Sequence, residues 1–278
     1  MRRRSPITKC VFCGSTNLNH EHVFSKWTHR FLAPRKPGRA RSFVGTQFAD
    51  RVIGQEIKLP GQVRDWQVKC VCGGRHHTCN NGWMREIENR ARPVLIPLIE
   101  GDEHRLYPPQ QKIIATWAIL KAIVGEYGGR HVVNVHHKQR KYLKTHSLPP
   151  KNGWGVWIGS YYRANYRPEW VSRPFLLITK DVRSQVKDET ATYYNSCAST
   201  QIVGKLFIHV VHSPMPDFIR RLHFHPPERG TLFRIWPDSE TSIKWPSRAL
   251  SDRDADSVSD GIATLLTEIK RKSGAPHA

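Results

Sequence analysis

The sequence predicts an α+β protein in two parts: an N-terminal strand–strand–helix module over residues 1–100 and a strand-rich mixed domain over 101–278. Three observations carry this. Cys10 to Trp27 reads CVFCGSTNLNHEHVFSKW and Cys70 to Met84 reads CVCGGRHHTCNNGWM, so paired soft ligands recur at two distant places, as in a small module tied by a structural metal. Gln110 to Tyr127 is the strongest helical pattern, with Ile113, Trp117, Leu120 and Val124 on one face and Gly128-Gly129 after it. Beyond it, strand-like runs separated by turn residues cover 154–162, 175–179, 203–211 and 231–236.

In chain order, residues 1–9 read as a basic lead-in, and Cys10-Val-Phe-Cys13-Gly14 as a knuckle whose Gly permits the tight turn. Residues 18–24 form a short strand carrying His20, Glu21 and His22, and Ser25 to Leu32 an amphipathic helix with Trp27 and Phe31 on one face. Residues 33–42 are a basic loop, 43–69 a hairpin, and Trp66 to Val71 the second strand of the module. Trp83, Ile87 and Ala91 predict a helix over 80–90 that ends at Pro93. Residues 131–152 read as a basic linker or binding loop, and 255–272 as a final helix.

Composition narrows the partner. Lys and Arg number 44 against 23 acids among 278 residues, a net charge of +21, which favours a polyanion through counterion release. DNA is the expected partner, with RNA as the alternative. No lipidation signal, basic amphipathic helix or long apolar run accompanies the charge, so no membrane association is expected. The start, MRRRSPITKC, has no apolar run after its charges, and five of the six cysteines sit in the two motifs; both point to a reducing cytoplasm and metal binding rather than disulfides.

The metal calls for four ligands in tetrahedral array, and zinc suits thiolates. Cys10, Cys13 and Cys79 supply three. The fourth is Cys72, the softer ligand, or His76, which has the two-residue knuckle spacing to Cys79; Cys70 reads as an ordinary strand residue. A second, harder site follows. Phosphodiester cleavage needs a base to activate water and a cation to stabilise charge on phosphorus. His22 suits the first task, and the carboxylate of Glu21 with the amide oxygen of Asn80 suits Mg²⁺ or Mn²⁺. Because Asn80 follows Cys79 directly, the knuckles set the spacing between Glu21-His22 and Asn80 from a distance in sequence.

In this arrangement residues 8–92 resemble the HNH, or ββα-metal, endonucleases. CxxC is followed by an acid–His pair and then by a second knuckle ending in Cys-Asn, as in the phage junction-resolving members; CNNGWM and EHVFSKW also resemble a phage and bacterial HNH subgroup. The resemblance implies His22 as general base, Glu21 and Asn80 as ligands of Mg²⁺ or Mn²⁺, and structural zinc on the cysteines. Glu stands where the family more often has Asp. The rival from another class is a zinc-containing nucleic-acid-binding protein that cuts nothing.

Other residues receive plainer roles. His20 reads as solvated, Asn81 as a helix cap, Lys26 and Arg85 as phosphate contacts or surface charge, Trp27 and Trp83 as packing, and Cys197 as an inert buried thiol. His223 and His225 have metal-like spacing without further ligands nearby.

Overall fold

The computed structural model describes residues 7–32, 39–48, 51–58, 63–74, 78–128, 135–162, 169–175, 195–222, 224 and 230–259. Its architecture is α+β. A two-stranded antiparallel sheet pairs β1 (Leu18–His22) with β4 (Gln67–Cys72), and a 3₁₀ turn, Lys26–Phe31, follows β1 where a helix is predicted. After β4 the chain takes a wide π-type turn over Asn80–Met84, in which Gly82 leaves helical geometry, and continues as α1 (Arg85–Glu100).

Pro93 does not end this helix. Both Pro93 and Pro97 lie inside α1, whose Ile87, Ala91, Leu95, Leu98 and Ile99 are buried; core packing of that stripe outweighs the backbone hydrogen bonds the prolines remove. The helix stops instead at Gly101, which takes a left-handed φ of 76° while the amides of Gly101 and Asp102 close on Pro97 O.

The chain between β1 and β4 leaves the module. Hairpin β2 (Arg39–Phe48) and β3 (Arg51–Lys58) lies at one edge of a seven-stranded sheet that also holds β6 (Trp154–Ser160), β7 (Glu169–Phe175), β8 (Ser196–Val203), β9 (Leu206–His212) and β10 (Phe233–Trp236). The order is β10-β6-β9-β8-β7-β2-β3, with β2 and β7 parallel and the remaining pairs antiparallel. Residues 39–42 are therefore strand rather than loop, and the hairpin ties residues before 100 to the sheet of the later half.

Helix α2 (Pro108–Glu126) packs on one face of this sheet and against α1. The one-sided stripe expected of it is wrong in extent: from Ile114 to Glu126 every residue is buried, because module and sheet cover it from both sides. Gly125 allows the approach, since a Cβ there would stand 2.0 Å from the Trp170 ring. The other face of the sheet is covered by α4 (Pro216–Arg221) and a helical stretch over residues 252–259. Part of the expected linker 131–152 is helix α3 (His137–His146), and β5 (His104–Leu106) pairs with β11 (Ile243–Trp245). Among the described residues no helix is long and apolar enough to cross a membrane. Most of the runs expected as strand over 175–179 and as helix over 255–272 lie outside the described residues, as do His223 and His225.

Candidate metal centre and adjoining cleft

Four of the cysteines come together. The Sγ atoms of Cys10, Cys13, Cys72 and Cys79 all lie within 4.8 Å of one another, with Cys13 and Cys72 at 3.4 Å. A tetrahedral zinc with Zn–S arms of about 2.3 Å has S–S edges of about 3.8 Å, so the donor set fits such an ion. The local backbone supports it: Gly14 N donates to Cys10 O at 2.8 Å, closing the first knuckle, and Cys79 N donates to Cys72 Sγ at 3.2 Å. The Cys79 thiol beside Cys10 pushes the Cys10 thiol down to about 4, while Cys79 itself is pushed up. Thiolates held this closely would have their negative charge taken up by a bound cation.

Cys72 therefore belongs to the cluster by geometry, and His76 lies outside the described residues. Cys70 is fully buried in β4 and is not one of the four; its carbonyl accepts from Val11 N at 3.0 Å, which joins the first knuckle to the strand. Phe12 and Trp83 meet edge to face at 4.9 Å beside the cluster, and Trp27 packs on Trp117 at 6.1 Å, so both indoles pack as expected.

A cleft of about 250 Å³ opens next to the cluster, lined by His20, Glu21, His22, Lys26, Asn80, Asn81, Met84, Arg85 and Glu88. Glu21 and His22 reach it from the end of β1, where a register irregularity after Asn19 leaves His20 exposed and Glu21 buried. Asn80 and Glu88 reach it from the π-type turn and the first turn of α1. Asn80 Nδ2 donates to His20 O at 3.4 Å across the gap. Asn81 does not cap the helix with its side chain; its amide donates to Gly74 O at 2.8 Å, and Thr78 Oγ1 accepts from Asn81 N.

Beneath the cleft lies a group that sequence reasoning missed. Lys121 of α2, with no exposure, donates to Glu21 Oε1 at 2.6 Å, to Glu88 Oε1 at 2.6 Å and to His22 O at 3.1 Å. Ser25 Oγ also donates to Glu88 Oε1, at 2.5 Å, and accepts from Trp117 Nε1. Burial pushes the Glu88 carboxyl up, but Lys121 and Ser25 more than offset this and hold it below the usual range. One lysine against two carboxylates leaves a formal charge of −1 there, and Lys26 and Arg85 also line the cleft.

His22 is half-buried. Burial, helped by His29, Lys121 and Lys26, lowers its pKa and keeps the imidazole neutral near pH 7. Its ring meets His29 edge-on at 5.2 Å, and the Gln67 side-chain amide reaches its Nε2 at 2.9 Å. Elsewhere, burial pushes the Cys197 thiol up to about 12, in keeping with an inert residue. No family model, no curated protein and no solved structure matches this chain.

Proposed function

We propose that the protein is a divalent-metal-dependent endonuclease that hydrolyses phosphodiester bonds in DNA, with zinc on the four cysteines as its structural metal. What supports the reading is one observation: Glu21, His22 and Asn80, drawn from segments about 60 residues apart, line the same cleft beside the cysteine cluster. Glu21 and Asn80 would hold Mg²⁺ or Mn²⁺, hard oxygen donors for a hard cation; Glu88 adds a second carboxylate to the cleft lining. When bound, the cation supplies stabilisation of charge on the phosphoryl and leaving oxygens. His22, kept neutral by its surroundings, accepts the proton of the attacking water, for which the Gln67 amide at Nε2 must give way. Lys26 and Arg85 hold the phosphate at the mouth.

A second reading rests on a specific observation. Glu21 Oε1 is already satisfied by Lys121, and His22 Nε2 by Gln67, so the same scaffold suits a zinc-containing nucleic-acid-binding protein that cuts nothing. A plasmid nicking assay with Mg²⁺ or Mn²⁺ separates the two. Nicking by the wild type that His22→Ala abolishes while DNA binding persists supports the enzyme. Tight binding with no nicking in either metal, on DNA or RNA, rules it out.

A further inference from the structure

Helix α3 contains His137, Lys138, Arg140, Lys141, Lys144 and His146 and no acid. Three ties hold it in place. Arg140 Nε donates to Val11 O at 2.8 Å, between Cys10 and Cys13; Arg90 of α1 donates to Ser147 O at 3.2 Å; and Gln139 Oε1 accepts from Trp154 Nε1 at 3.1 Å and meets His212 Nε2 at 2.8 Å. The helix is thus fixed to the knuckle, to α1 and to the sheet.

These ties occupy Arg140 and Gln139 and leave Lys138, Lys141 and Lys144 over. Lys138 and Lys141 are exposed, Lys144 is half-buried, and none of the three pairs with a carboxylate among the described residues. At spacings of three residues they share one side of the helix and span about 9 Å along its axis. A row of cations with no acid among them raises the local concentration of polyanions on that side of the helix.

Its position gives the row a purpose. Glu88 of α1 lines the cleft, whereas Arg90 of α1 ties α3. At 100° per residue these two positions point about 160° apart, so the cleft and α3 flank opposite sides of α1. Between them α1 exposes Arg85, Asn89 and Arg92, with Glu86 as the acid on that side. The helix α1 that separates them is itself about 10–12 Å across, close to the roughly 12 Å width of a major groove.

We propose that α3 is a phosphate-binding wall: a duplex lies across the exposed side of α1, with Lys138, Lys141 and Lys144 on its backbone on one side of α1 and the cleft on the other. The identity of the ligand rests on the nucleic-acid reading of the cleft; the placement of α3 does not. Contacts of this kind release counterions, so they set affinity and salt dependence but not sequence choice or the chemical step.

The test is fluorescence anisotropy of a labelled duplex with the full chain, titrated across salt, for wild type, the triple variant K138Q/K141Q/K144Q, and the control K244Q/R253Q. Three phosphate contacts at about 0.9 each should lower the slope of log K against log salt by about 2–3, and binding at low salt should weaken; the control should match the wild type. Melting curves equal to wild type show that the triple variant is folded, as expected of two exposed side chains and one half-buried one that pair with no carboxylate among the described residues. A triple variant with wild-type affinity and slope overturns the proposal, as does a wild type that ignores duplex and binds anionic vesicles. Because the readout is binding, a wild type that binds through α3 without nicking removes the endonuclease reading and leaves this one standing.

Discussion

Lys121 and Glu88 meet at 2.6 Å beneath the cleft, with no part of the lysine side chain exposed. A buried ammonium is tolerated only when its protons are all used, and here Glu88, Glu21 and His22 O accept them. Lys121→Met removes the charge and leaves two carboxylates facing each other. Breaking a buried pair from one side costs about 3–5 kcal/mol, so chemical denaturation of the variant should show a loss in that range. A loss under about 1 kcal/mol would mean that the carboxylates do not depend on this lysine.

The same contact has an acid limb. Burial opposes ionisation of Glu88, Lys121 reverses this, and the folded pKa lies below the unfolded value of about 4.3. A lowered carboxyl contributes stability that is complete above that unfolded value and is lost as pH falls through the folded one. Glu88→Gln lacks the charge at every pH. The melting-temperature gap between wild type and Glu88→Gln should therefore be widest near neutrality and close as pH drops below about 4. A gap that stays constant on acidification contradicts the ionised pair.

How much of this was legible follows from distance in sequence. The cysteine pattern, Glu21-His22 and Asn80 could be read because each motif is local and its residue types are chemically specific. Lys121 could not: it sits in an apolar helix, 100 positions from Glu21, and nothing local marks it as a partner. Glu88 was hidden likewise, as an ordinary acid in the first turn of α1. Pro93 misled because local backbone preference was outweighed by burial of a stripe on both sides of it. Parallel pairing of β2 with β7 joins strands more than 100 residues apart, which no periodicity announces. Three-residue strands such as β5 and β11 are too short to show alternation.

The cysteine geometry gives a metal prediction. Purified protein should carry close to one zinc per chain, measured by inductively coupled plasma mass spectrometry, and Cys72→Ser should lose most of it. His76→Ala should keep it, since four thiols complete the tetrahedron. Cys70→Ser should also keep it, despite some loss of stability from a hydroxyl placed in a fully buried site. Chelation at elevated temperature should lower the melting temperature of the wild type, because metal affinity is folding free energy. Zinc lost in His76→Ala and retained in Cys72→Ser would replace the fourth ligand.

The last prediction concerns the proposed proton acceptor. His22 works as a base only when neutral, and burial together with the charges of Lys121 and Lys26 shifts its pKa below the ordinary value of about 6.5. Cleavage measured at saturating DNA and metal should therefore rise with pH through a pKa under 6.5 and be level by neutrality, rather than rising through it. Lys26→Gln removes one of the cations opposing protonation and should move the rise to higher pH. His22→Ala should reduce the rate by about 10²–10⁴-fold with binding retained. A rise that stays at the same pH in Lys26→Gln, or that persists in His22→Ala, assigns the titrating base to another residue, His20 being the other imidazole that lines the cleft among the described residues.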